Sequence, residues 1–189
     1  MTTLEYLLVM FLLVAASSFF SISEIALAAS RKMRLRMLAT EGDVRAEKVL
    51  QLQEHPGNFF TVVQIGLNAV AILGGILGES AFTPYFSSLL ALISSEPWVQ
   101  PAAFTLSVFF VTSLFILFAD LMPKRLAMIA PEQIALRIVS PMLFLILVLR
   151  PFVWLFNGLA NLFFSLFKVP TMRKDDITPD DIMAMMDAG

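Results

Sequence analysis

The sequence predicts an all-α membrane protein, with three transmembrane helices followed by kinked juxtamembrane helices at the inner interface. Three observations carry that reading. Hydrophobic residues make up 58% of the 189, with 18 phenylalanines and a mean hydropathy of +0.82, which is the composition of a chain solvated by lipid. Leu7 to Ala29, Phe59 to Leu77 and Ala102 to Met122 are each about the 20 residues that a helix needs to cross hydrocarbon. The 13 Lys and Arg residues lie beside these apolar runs and form no nucleic-acid-binding patch, so lipid is the expected surrounding partner. The chain has no cysteine, which rules out disulfides and thiolate metal ligands within it.

The first run is retained as a span. It has Glu5 where a cleaved leader has a basic flank, its apolar stretch is too long, and "SRKMRLRM" follows it. Arg31, Lys32, Arg34 and Arg36 after span one, and Lys124 and Arg125 after span three, mark the cytoplasmic side, while Glu79 to Gln100 has no Lys or Arg. The N-terminus is therefore expected outside and the C-terminus inside. Between spans one and two, "ATEGDVRAEKVLQLQEH" reads as an amphipathic surface helix with Val44, Val49, Leu50 and Leu52 on one face, and His55 as a loop residue before Pro56-Gly57.

Ile134 to Leu149 and Phe152 to Phe167 are 16 residues each, interrupted by Pro141, Arg150 and Pro151. At about 1.5 Å per residue each falls short of a span. Pro131 to Val169 is therefore expected to lie at the inner interface, with Trp154 and the phenylalanines buried and Arg137, Arg150 and Lys168 reaching water. The rival is a two-span hairpin. In "RKDDITPDDIMAMMDAG", Thr178 reads as an N-cap, Pro179 as the first helical residue and Asp180-Asp181 as its acidic first turn. Residues 1–169 are expected to form the membrane domain, and 170–189 to begin a linker helix leading to a cytosolic domain.

Helical periodicity places the polar residues of each span. Ser17, Ser21 and Glu24 share one face, as do Thr61, Gln64 and Asn68, and as do Ser113 and Asp120. These stripes are expected to turn inward, because lipid does not solvate them. An aspartate in a span costs about 2.5–3.5 kcal/mol on insertion scales, so Asp120 needs compensation. Pro123 cannot donate to the carbonyl four residues back, that of Ala119. The carboxylate and that carbonyl make an acceptor-rich place for a cation, completed by Asn68 and serine hydroxyls. The competing structural reading pairs Asp120 with Lys124 or Arg125, lets Ser17 and Ser21 bond back to their own helix, and makes Glu24 a partner of the basic cluster. Gly74, Gly75 and Gly78 mark a close helix contact or a dimer face.

"SSFFSISEIALAASRKMRL", "NFFTVVQIGLNAVAILGG" and "LFADLMPKRLAM" resemble the three signature stretches of the DUF21 transmembrane domain of the CNNM/CorC (HlyC/CorC) family of cation transporters. The longer matches, including "RKDDIT", are similar to a bacterial branch whose members export polyamines such as cadaverine and putrescine. The resemblance implies a homodimer in the inner membrane, three spans per protomer, and a cytosolic pair of CBS motifs through which any ATP control would act. It implies a small cationic substrate. Carried over by position, the family's cation site falls on Ser17, Ser21, Gly66, Asn68, Ala119 and Asp120, with Ser17, Ser21, Asn68 and Asp120 as the ligands were the cargo Mg²⁺. This chain departs from the family pattern at Gly66-Leu67-Asn68 and at Ala119-Asp120, where many members have Gly-Asn-Asn and Gly-Glu. Mg²⁺ holds its ligands at about 2.0–2.1 Å and tolerates such shifts poorly.

For a diamine, Asp120 and Glu24 would each neutralise one ammonium, and Phe19, Phe20 and Met122 would line the alkyl chain. Mg²⁺ transport is the alternative, and a non-transporting anchor or sensor is a second. No nucleophile–base pair or phosphate loop appears, so no enzyme is expected.

Overall fold

A computed structural model describes residues 3–93 and 96–167. The expected helix at Thr178 to Asp181, and Lys168, lie outside the described residues. All regular structure among the described residues is helical. The chain divides into two units, Met1–Leu149 and the part from Arg150 onward.

In the first unit, α1 (Thr3–Ala29) is the central helix. It packs against α4 (Gly57–Ala91), α6 (Met122–Ile129), α7 (Pro131–Val148) and a π-helical segment, Phe115–Leu121, that joins α5 (Val99–Leu114) to α6. Its length and apolarity suit a membrane span, as do those of α4, the continuous Val99–Ile129 stretch and α7. The α4 helix has 35 residues, about 52 Å at the α-helical rise, and so outruns about 30 Å of hydrocarbon.

Glycine sets the closeness of α4 to its neighbours. A Cβ at Gly74 would lie 2.2 Å from the Phe115 ring, and one at Gly78 would lie 2.5 Å from Val111. Gly78 therefore serves the α4–α5 contact and Gly74 the contact of α4 with the π-helical segment, whereas Gly75 has open space around its Cα. Further along α4, Ser107 Oγ donates to the Glu79 carbonyl (3.2 Å) and ties α5 to α4.

The connection between α1 and α4 is two helices rather than one. α2 (Lys32–Thr40) and α3 (Val44–Glu54) meet at a turn in which Gly42 takes φ 96° and Asp43 caps α3 through the Arg45 N–H at 2.9 Å. The positive φ is what a glycine tolerates, and the sequence reading overlooked this Thr-Glu-Gly-Asp break. The Arg45 guanidinium, hydrogen-bonded to Asp43, holds that carboxyl below its ordinary range. The buried face of α3 is Ala46 and Val49, while Val44 is exposed; the cap turns Val44 outward.

α7 begins at Pro131, earlier than the apolar run suggested, and has 18 residues, about 27 Å. Pro131 occupies the first turn, where its missing N–H costs nothing, and Pro141 sits inside the helix without ending it. Buried Glu132, in that first turn, accepts from the Arg31 backbone N–H (3.3 Å) and Nε (3.2 Å), with Arg34 at 3.8 Å. This ties the exit of α1 to the start of α7. Glu132→Ala is expected to lower stability by only about 1–2 kcal/mol, because Arg31 is exposed and returns to water. A melting temperature in detergent equal to wild type would show that the two helices hold without the tie.

α8 (Arg150–Leu166) is the described part of the second unit. Arg150, Asn157, Asn161 and Ser165 fall along one side of it. Trp154 is 78% exposed, and Phe152, Phe156, Phe163 and Phe164 are exposed as well. Their expected burial is not seen among the described residues of this unit.

Candidate cation site

The site lies where the C-terminal half of α1 meets the π-helical segment and α6. α1 is regular here, so Ser17, Ser21 and Glu24 do share a face. Ser17 and Ser21 are buried and Glu24 is partly so. Ser21 Oγ donates to Asp120 Oδ1 at 3.1 Å. The Lys124 ammonium, one helical turn beyond Asp120, lies 2.7 Å from the same carboxylate oxygen and 3.4 Å from Glu24 Oε2. One alkylammonium group thus bridges two carboxylates from different helices, with a serine hydroxyl as the third polar group. Side-chain exposures of 45% for Asp120, 32% for Lys124 and 22% for Glu24 leave the cluster only partly covered by the described residues.

The π register explains how Asp120 reaches α1. A π-turn bonds each N–H to the carbonyl five residues back, and the Met122 N–H bonds to the Leu117 carbonyl accordingly. In this register the N–H due to the Phe118 carbonyl belongs to residue 123, a proline that has none. Ser18 Oγ supplies the bond instead, at 3.0 Å. The orphaned carbonyl is therefore that of Phe118, not the Ala119 carbonyl expected from a four-residue register, and buried Ala119 packs instead. The wider π-turn also rotates Asp120 about the axis relative to a regular helix. Ser113 consequently does not share its face: it is exposed and donates back to the Phe109 carbonyl at 2.8 Å.

Gly66 is present as the floor of a helix crossing. A Cβ there would lie 2.3 Å from the buried Phe20 ring, so Phe20 is consumed in holding α1 against α4, and Met122 is exposed. Asn68 is two residues on, about 200° around α4 from Gly66, and it is exposed, as is Gln64. The structure does not bring Asn68 to the carboxylates, and the stripe expected to face inward faces away from α1. Thr61 donates back to the Gly57 carbonyl at 3.0 Å. Among the described residues, no three His, Cys, Asp or Glu side chains come together as a metal cage.

The residues that sequence reasoning undervalued are Ser18 and Lys124. The signal for Ser18 was Pro123 itself, five residues after Phe118. Lys124 was weighed only as a neutralising partner, although it falls one turn beyond Asp120.

The model of the cyclin M transmembrane N-terminal domain (CNNM) matches residues 7–189, nearly the whole chain. The chain belongs to the CNNM family. This CNNM domain is 60% identical over 186 residues to the polyamine export protein of Salmonella typhimurium, covering 98% of the chain and 42% of that protein. It is 59% identical to the polyamine export protein of Escherichia coli K12 over the same shares, and 51% identical over 177 residues to that of Haemophilus influenzae, covering 94% and 41%. The CNNM domain thus spans about two fifths of the length of these relatives.

Proposed function

We propose that this CNNM domain is the membrane part of an inner-membrane cation exporter whose cargo is a polyamine, bound through its ammonium groups by Asp120 and Glu24 with Ser21. The observation that carries the reading is Lys124: a primary ammonium on an aliphatic stem already lies between the two carboxylates, and the end of cadaverine or putrescine is that same group. Cargo takes the place of the tethered ammonium, which swings to water. When cargo leaves, Lys124 returns and the carboxylates are not left unpaired in an apolar surrounding. The names of the 51–60% identical relatives support a polyamine as cargo.

Mg²⁺ as cargo is the second reading and draws its support from family membership. The ligand set it requires, Ser17, Ser21, Asn68 and Asp120, is not gathered within one protomer, since Asn68 is exposed on the far side of α4. A pure anchor would have no reason to carry Asp120 and Glu24 against their insertion cost, and no catalytic role is assigned.

In this reading α1, α4 and the α5–α6 stretch cross the membrane, with the N-terminus outside and the basic ends of α1 and α6 inside. α7 and α8 lie at the inner interface, a placement supported by exposed Arg137 within α7. Gln64 and Asn68, polar and exposed on an apolar helix, favour a second copy covering α4 in a homodimer. Calorimetric titration of the detergent-purified chain tests the cargo. Cadaverine is expected to bind wild type, and Lys124→Met is expected to bind it about tenfold more tightly, because a charged competitor has been removed. Mg²⁺ binding with no cadaverine binding in either protein would contradict the reading.

A further inference from the structure

A second cluster of chemistry lies at the other end of α1. Tyr6, Leu7, Ser80, Ala81, Phe82, Pro84 and Tyr85 line a cavity of about 240 Å³ between the start of α1 and the outer part of α4. The chain has two tyrosines, and both line this cavity. Ser80 Oγ, on its wall, donates to Glu79 Oε2 at 3.4 Å, and Glu79 Oε1 accepts from Thr83 at 2.8 Å. Glu79 adjoins the lining residue Ser80, and Glu79 to Gln100 contains no Lys or Arg. The potential at this end therefore favours cations, and tyrosine faces attract an ammonium.

Helical geometry connects this cavity to the inner carboxylates. Tyr6 and Glu24 are 18 residues apart on one unbroken helix, five full turns, so they fall on the same line of α1 about 27 Å from each other. That separation approaches the thickness of the hydrocarbon. Ser21, Ser17 and Met10 lie along the same face between them. Met10 is buried, and it comes up against Gly78, where a Cβ would lie 3.1 Å from its terminal methyl.

We infer that the Tyr6–Tyr85 cavity is an outer binding site for alkylammonium ions, the exit-side counterpart of the Asp120–Glu24 site on the same face of α1, with Met10 closing the path between them. This deepens the reading of the inner cluster as an amine site and rests on it for its role in export. The two sites differ in strength by construction: carboxylates hold an ammonium at the inner end, while ring faces and hydroxyls hold it loosely at the outer end, which suits release.

The chain's two tyrosines give a direct test. Labelling with 3-fluorotyrosine yields two ¹⁹F resonances, both reporting this cavity, which are followed during titration of the detergent-purified chain with cadaverine. Both are expected to shift, with half-saturation at about millimolar amine, in wild type and equally in Asp120→Asn. Matched NaCl and 1,5-pentanediol are expected to leave them in place, and Tyr85→Leu is expected to weaken the shift of the remaining Tyr6 signal. Resonances that do not move, that move equally with the uncharged diol, or that move only while Asp120 is intact would overturn the outer site. The inner reading fails separately, through a calorimetric cadaverine affinity that Asp120→Asn leaves unchanged.

Discussion

Asp120→Asn is expected to weaken cadaverine binding by about 100-fold or more while leaving the fold intact. The amide keeps the shape of the side chain and still accepts from Ser21, but it removes one of the two charges that hold the ammonium. Truncating one member of a hydrogen-bonded charge pair costs about 2–5 kcal/mol, and each 1.4 kcal/mol is a factor of ten in affinity. Glu24→Gln is expected to cost less, because Glu24 lies 3.4 Å from Lys124 Nζ against 2.7 Å for Asp120. Titration of both variants beside wild type decides the order. Full binding in Asp120→Asn, with or without a loss in Glu24→Gln, would contradict the assignment of Asp120 to the amine site.

The second large effect is on stability. In Gly66→Ala the new methyl carbon would stand 2.3 Å from the nearest atom of the Phe20 ring and under 3 Å from two more, so α1 and α4 must separate or the ring must leave a buried position. Overpacking of this kind costs about 1–3 kcal/mol, expected as a clear fall in melting temperature in detergent. Because Ser21 follows Phe20 directly, amine affinity should fall with it. Shrinking the ring in Gly66→Ala/Phe20→Leu should recover part of the loss, since the two positions share one contact. A single Gly66→Ala variant as stable as wild type would mean that the crossing is looser than the structure describes.

The α1 half of the site was legible in the sequence because α1 is a regular helix: Ser17, Ser21 and Glu24 fall on one line when each residue advances about 100°. The same arithmetic failed for Ser113 and Asp120, where the π-turn adds a residue and rotates the rest of the helix. Pro123 announced some disturbance there, but the choice between freeing the Ala119 or the Phe118 carbonyl depends on the register. Only the tertiary bond from Ser18 reveals which one applies. Thr61, Gln64 and Asn68 were read as inward because a span was assumed to hide its polar face inside one protomer. Gly66, Gly74 and Gly78 instead claim the inner face, since they admit Phe20, Phe115 and Val111 so closely. For α7 the apolar run was counted from Ile134, whereas Pro131 and the buried Glu132, neutralised by Arg31, begin the helix a turn earlier. The membership of the family was the part most fully written in the sequence, in three motif stretches that bracket these elements.

The most direct test of the central claim is a structure of the chain solved with cadaverine bound. The amine is expected with one ammonium within hydrogen-bonding distance of Asp120, the pair completed by Glu24 or Ser21, and with Lys124 Nζ displaced from its 2.7 Å contact. Cadaverine found elsewhere, with the Lys124 bridge between Asp120 and Glu24 intact, would contradict it.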